Sequence, residues 1–164
     1  MKKVIFDTDI GIDDAMALLF LHHAPDVDLI AITTGFGNAS VSNTTRNALY
    51  MKELFNMSAA VYAGAATPVG SALGEGYADF VHGKNGLGDI PLTTPMCEAE
   101  AMPAAEAIVE LVRANPHALS VVAVGRMTNL AMALALDPEL PSLIKELIVM
   151  GGVFGYNGHR GNVS

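Results

Sequence analysis

Of the 164 residues, 51% are hydrophobic and 16% charged, which argues for a folded core with a heavily buried sheet and against disorder. A net charge of −8 argues against nucleic acid, whose phosphates call for a basic patch, and no run nears the roughly 18 apolar residues of a membrane span, so no membrane partner is expected. The one cysteine, Cys97, has no mate for an internal disulfide and fits a reducing, cytoplasmic setting.

Met1-Lys2-Lys3 opens like a secretory leader, but the apolar stretch behind it is short and runs into acids. Val4–Phe6 reads as a buried strand, and residues 14–23 as the helix that follows a turn at Gly11. Leu29–Thr34 is the second strand, then a helix over 41–56 with Ser40 as its N-cap. Ala59–Tyr62 is a third strand. A helix over 103–115 carries Pro103 in its first turn and stops near Asn115-Pro116. Strand Leu119–Val124, helix 128–136 and strand Glu146–Met150 complete the series. Alternating strands and helices imply one α/β domain over residues 1–164, an open, mostly parallel, Rossmann-like sheet with helices on both faces.

Residues 64–102 interrupt this rhythm with many glycines and prolines and at most a short helix around Tyr77–Val81. A connection of that length is expected to be a functional loop or lid. His82-Gly83-Lys84-Asn85-Gly86-Leu87-Gly88-Asp89 lies at its centre, although a lone loop histidine is more often simply solvated. After Gly151-Gly152, the final Gly161-Asn162-Val163-Ser164 adds no closing element, so a truncated chain is expected.

The chemistry concentrates in Asp7-Thr8-Asp9-Ile10-Gly11-Ile12-Asp13-Asp14, with four carboxylates in eight residues directly behind a buried strand. Such acids gather at the carboxyl end of the strand, where open α/β sheets bind ligands. Two carboxylates about 5 Å apart repel by roughly 3 kcal/mol at an effective dielectric near 20. A bound hard cation relieves that repulsion, and oxygen-only ligation suits Ca²⁺ or Mg²⁺. Asp13 or Asp14 could instead cap the helix. Asp7 and Asp9 have no such use.

Four blocks in order resemble the inosine-uridine nucleoside hydrolases, the calcium-dependent nucleoside N-ribohydrolases. They are Asp7 to Asp14; Thr33-Thr34-Gly35-Phe36-Gly37-Asn38; His82 to Gly88; and Val124-Gly125-Arg126-Met127-Thr128-Asn129-Leu130-Ala131. Met150-Gly151-Gly152 with Gly161-Asn162-Val163-Ser164 adds a fifth. The resemblance implies the nucleoside hydrolase fold, with this chain matching about the first half of the family's domain. It implies Ca²⁺ as cofactor, with Asp9, Asp14 and the Val124 carbonyl as ligands. Asp9 would also be the general base toward the attacking water. Asp13 and Asn38 would hold ribose hydroxyls, with Asp7 supporting from behind. Met150 would pack on the ribose, Asn162 would bind its 5′-hydroxyl, and His82 would stand near the base on a mobile loop. The implied partner is a ribonucleoside, and the complete protein is expected to be a homo-oligomer.

The chemistry fits, because cleavage of an N-ribosidic bond passes through an oxocarbenium-like cation that an acidic pocket favours. Asn38 also reads as a plain turn residue after Gly37, and Asn129 as a helix-start residue. Ile10 and Arg126 stand where the family usually has proline, and Val153–Arg160 is longer than usual. The family's downstream Glu and Asn, and its late His-Asp pair, are absent, so this chain alone is expected to be catalytically impaired. It is also expected to expose an apolar face or unpaired sheet edge.

Two other readings compete. A haloacid-dehalogenase-type, Mg²⁺-dependent phosphatase also begins with a strand and Asp-x-Asp, here Asp7-Thr8-Asp9. A non-catalytic metal- or nucleoside-binding remnant is the second. An EF-hand loop from Asp7 would put Ile12 where glycine is needed and Leu18 where glutamate is needed, so that version fails.

Overall fold

The computed structural model describes residues 1–71 and 76–151. In chain order the elements are β1 (Lys2–Thr8), α1 (Ile12–His23), β2 (Val27–Thr34), α2 (Val41–Leu54), β3 (Ala60–Ala63), α3 (Asp79–His82), α4 (Ala104–Ala114), β4 (Leu119–Ala123), α5 (Thr128–Leu136), α6 (Leu140–Leu143) and β5 (Glu146–Val149). The strands form one sheet in the order β3-β2-β1-β4-β5, and every pairing is parallel. This is the open α/β sheet that the alternation of elements predicts.

Alternation along β1 divides the core into two layers. Val4 and Phe6 pack with Leu18 of α1, Ile32 of β2, and Ala48 and Met51 of α2. Ile5 points the other way and joins Ala31, Leu119 and Val121 beneath Ile108 and Val112 of α4 and Leu130 of α5. Both faces of the central strand are therefore buried, which accounts for its continuous apolar run.

Local chemistry sets the helix ends. The Ser40 hydroxyl oxygen accepts the Asn43 N–H at 3.3 Å and caps α2. Pro103 is the N-cap of α4, one residue outside the helix rather than within its first turn. At the far end of α4, the Arg113 guanidinium makes a two-pronged bond to Asp137 at 2.7 and 2.8 Å and reaches Glu139 at 3.0 Å. This pairing holds the Asp137 carboxyl below the usual carboxylate range and ties α4 to the turn before α6.

Two short helices differ from expectation. α3 spans Asp79–His82 rather than lying around Tyr77–Val81, and α6 carries no periodic signal because it is four residues long with Pro141 inside it. Around α3, the described part of the long connection is braced against α2. The Asn85 carbonyl accepts from Asn47 Nδ2 at 2.9 Å, and its side chain accepts from the Leu87 and Asp89 N–H groups. Gly86 sits at φ +84°, where a Cβ would also meet Asn47 Nδ2 at 2.9 Å, so glycine is required twice over.

The strand order positions the site. From β1 the chain steps outward to β2 and β3, then returns to the other side of β1 as β4. The connections leaving β1 and β4 diverge, opening a crevice at their carboxyl ends. β5 lies at the sheet edge with β4 as its one described neighbour, and Leu147, Ile148 and Val149 are about half exposed. Among the described residues, no helix is long and apolar enough to cross a membrane.

Candidate active site

β1 ends at Thr8 and α1 begins at Ile12, so Asp9, Ile10 and Gly11 form a tight turn at the end of the central strand. β4 closes in on one side, where the Val124 N–H donates to the Asp7 carbonyl at 2.8 Å. β2 closes in on the other, where the Gly35 N–H donates to the Thr8 carbonyl at 3.0 Å. Between them lies a cavity of about 530 Å³. Its walls bring together Asp9, Asp13, Asp14, Asn38, His82, Val124 and Met150. Asn162, the remaining sequence candidate, lies outside the described residues.

The carboxylates occupy different environments. Asp14 is 5% exposed and fully engaged: Oδ1 accepts the Thr8 hydroxyl at 2.9 Å, and Oδ2 accepts the Gly11 N–H at 2.8 Å and Asn38 Nδ2 at 2.7 Å. It thus does bond the start of α1, as the capping reading of this residue allowed, while also facing the cavity. Burial raises its pKa, against the pull of the Gly11 N–H and the Thr8 hydroxyl. Asp9 Oδ2 accepts the Asn38 N–H at 2.7 Å. Burial, reinforced by the Asp14 charge, pushes Asp9 up to about 7. Asp13 is exposed and lies 3.9 Å from His82 Nδ1.

Close packing around Asp9 requires glycine. A Cβ on Gly37 would stand 1.9 Å from Asp9 Oδ2, and one on Gly125 would stand 3.1 Å from Oδ1. At Gly11 a Cβ would strike Asn38 Nδ2 at 2.5 Å and His82 Nδ1 at 2.7 Å. Three glycines from three separate blocks therefore crowd three side chains, Asp9, Asn38 and His82, a constraint that a solvated acidic turn would not impose.

His82 does not project from a free loop. It is nine-tenths buried at the end of α3, with Nδ1 accepting the Ile12 N–H at 3.2 Å. An accepting Nδ1 places the proton of a neutral ring on Nε2. Met150 is held by its N–H, which donates to the Ala123 carbonyl at 2.8 Å, and half of it is exposed at the cavity.

Asp7 was expected to support the cluster from behind; sequence reasoning missed the residues that hold it there, Thr33 and Asn129. Asp7 is 1% exposed, accepting the Thr33 hydroxyl at 2.6 Å and Asn129 Nδ2 at 2.9 Å. Burial pushes its pKa up to about 6 despite both bonds. Asn129 is more than a helix-start residue: it is buried, also donates to the Thr34 carbonyl at 3.0 Å, and accepts the Ala65 N–H at 2.9 Å. The available signal was its place within a motif. Asp7, the nucleophile of the phosphatase reading, has no access to a phosphoryl group at this depth.

Two buried carboxylates with raised proton affinity line the cavity together with Val124, whose backbone carbonyl would be a further oxygen donor. This all-oxygen donor set fits a hard divalent cation. Among the described residues no cluster of three acidic, histidine or cysteine side chains forms a metal site, so further ligands would be carbonyl, hydroxyl or water oxygens.

Comparison with known proteins agrees in sequence and in shape. A family model described as inosine-uridine preferring nucleoside hydrolase matches residues 4–164. The chain belongs to that nucleoside hydrolase family. Within it, this nucleoside hydrolase chain is 40% identical over 154 residues to uridine nucleosidase 1 of Arabidopsis thaliana, covering 93% of this chain and 46% of the relative. It is 40% identical over 159 residues to the non-specific ribonucleoside hydrolase RihC of Salmonella newport, covering 97% and 50%. The solved plant nucleoside hydrolase PpNRh1 superposes with a TM-score of 0.89 at 38% identity, covering 93% of this chain and 48% of that one. The chain thus spans about half the length of the relatives it matches.

Proposed function

We propose that the cavity at the β1–β4 crevice is a ribonucleoside site, at which the N-glycosidic bond is hydrolysed to ribose and free base with a divalent cation, Ca²⁺, as cofactor. The observation that carries this reading is that Asp9, Asp14 and Val124 line one glycine-lined cavity in a member of the nucleoside hydrolase family. Uridine and non-specific ribonucleoside hydrolysis in the names of its relatives support the substrate class.

Asp9, Asp14 and the Val124 carbonyl would hold the cation. When bound, the cation cancels carboxylate repulsion and lowers the pKa of the attacking water. Asp9 takes the proton of that water on its carboxylate, as a general base. Asp14 is fixed in place because Thr8, Gly11 and Asn38 together satisfy both of its oxygens. The ribosyl cation that develops as the bond breaks is stabilised by the surrounding carboxylates. Asp13 and Asn38 face the ribose hydroxyls, and Met150 packs on the sugar. His82, with Nδ1 engaged by Ile12, offers its Nε2 proton to an acceptor on the departing base.

The described donors number three, whereas Ca²⁺ takes about six to eight oxygens. The 164 residues by themselves should therefore hold the cation weakly and turn over slowly. The test is ribose release from inosine and uridine, with Ca²⁺ and with a chelator, by the native sequence and by Asp9→Asn. Slow, cation-dependent release that Asp9→Asn reduces to background is the expected result. Saturable nucleoside binding with no release by the native sequence would instead support the non-catalytic binding remnant.

A further inference from the structure

The cavity wall contains a charge that the proposed hydrolysis does not use. Among its described lining residues, Arg126 is the one lysine or arginine, set against Asp9, Asp13 and Asp14. Its guanidinium stacks on Phe36 at 4.8 Å from the ring centre, and Phe36 is 1% exposed, so one face of the cation rests on an immobile surface. The anchor and the arginine come from opposite sides of the crevice: Phe36 follows β2, and Arg126 follows β4. Arg126 acts on the Asp9 carboxylate through its charge, opposing the effect of Asp14. With the three carboxylates ionised, one guanidinium leaves the wall at −2, the charge that a divalent cation brings to zero.

We propose that Arg126 is a built-in counter-charge of the acidic pocket, which offsets carboxylate repulsion when no divalent cation is bound and competes electrostatically with that cation for Asp9. It is a positioning residue, not a catalytic one. This inference rests on the cation site proposed above. Arginine suits the role better than lysine in one respect only, because a planar guanidinium can stack on the Phe36 ring; the competition itself depends on charge.

The test compares the native chain, Arg126→Gln and Arg126→Lys by calorimetric titration with CaCl₂ at one pH and low ionic strength, and by thermal melts in chelator. Arg126→Gln should bind Ca²⁺ about tenfold tighter than the native chain, with the gap narrowing at high salt, and Arg126→Lys should stay close to native. In chelator, Arg126→Gln should melt below both other forms. Equal or weaker Ca²⁺ binding by Arg126→Gln, or an Arg126→Lys that behaves like Arg126→Gln, overturns the proposal. Should no form bind Ca²⁺, the cation site fails, while the order of the melts in chelator still decides the counter-charge: native and Arg126→Lys above Arg126→Gln supports it, and no difference overturns it.

Discussion

Ionised Asp7 and Asp9 at the sheet end cost stability in the metal-free chain, because both bind a proton more tightly folded than unfolded. From an ordinary value of 3.8, Asp7 rises to about 6 and Asp9 to about 7. A raised carboxyl pKa leaves stability intact below the unfolded value and removes it as pH climbs toward the folded one. Each group should therefore cost on the order of 3 kcal/mol between pH 4 and pH 8. In chelator at pH 8, Asp9→Asn should melt several degrees above the native chain, and the difference should vanish toward pH 4. Ca²⁺ should then raise the melting temperature of the native chain and leave Asp9→Asn unmoved. A native chain that is the more stable form in chelator at pH 8 would contradict this account of Asp9. The acids themselves were legible in the sequence, since four carboxylates behind a strand have few other uses. Their division of labour was not. Asp14 satisfied by three donors and Asp13 exposed to solvent differ by one position, a distinction that only the start of α1 creates.

Among the elements, α5 does more than cover the sheet. Through Asn129 its first turn reaches β1 at Asp7, β2 at the Thr34 carbonyl and the chain after β3 at Ala65. Asn129→Ala removes all three bonds and leaves the Asp7 carboxylate with Thr33 alone. A loss of about 2–3 kcal/mol is expected in chemical denaturation, well above the few tenths expected of an exposed helix-start residue. A loss within error of zero would return Asn129 to that minor role. Strands were readable because both faces of β1 are buried and its apolar run is continuous, and α2 was readable through Ser40. Asn129 was not, because Thr-Asn at a helix start reads the same whether it caps the helix or reaches across the sheet. α6 was invisible for want of length, and α3 runs on to His82, whose Nδ1 accepts the Ile12 N–H at the first turn of α1.

At the scale of the whole molecule, the parallel sheet was implicit in the alternation of elements, whereas the strand order, and with it the place of the crevice, came from the structure. The edge could be anticipated only in kind. β5 presents Leu147, Ile148 and Val149 half exposed, next to an apolar hollow of about 330 Å³ between α5, α6 and β5. An exposed parallel edge with apolar side chains invites pairing with another chain. Sedimentation of the 164-residue chain should show self-association that grows with concentration and that Ile148→Lys weakens; a monomer throughout would contradict this. The same crevice gives the most direct test of the central claim, which is that Asp9, Asp14 and the Val124 carbonyl form a divalent-cation site at the β1–β4 crevice. That test is anomalous diffraction from crystals grown with Ca²⁺ and ribose. The account predicts one peak within about 2.3–2.6 Å of oxygens from all three residues. A peak elsewhere, or none at this cluster while Ca²⁺ saturates the protein in solution, would contradict it.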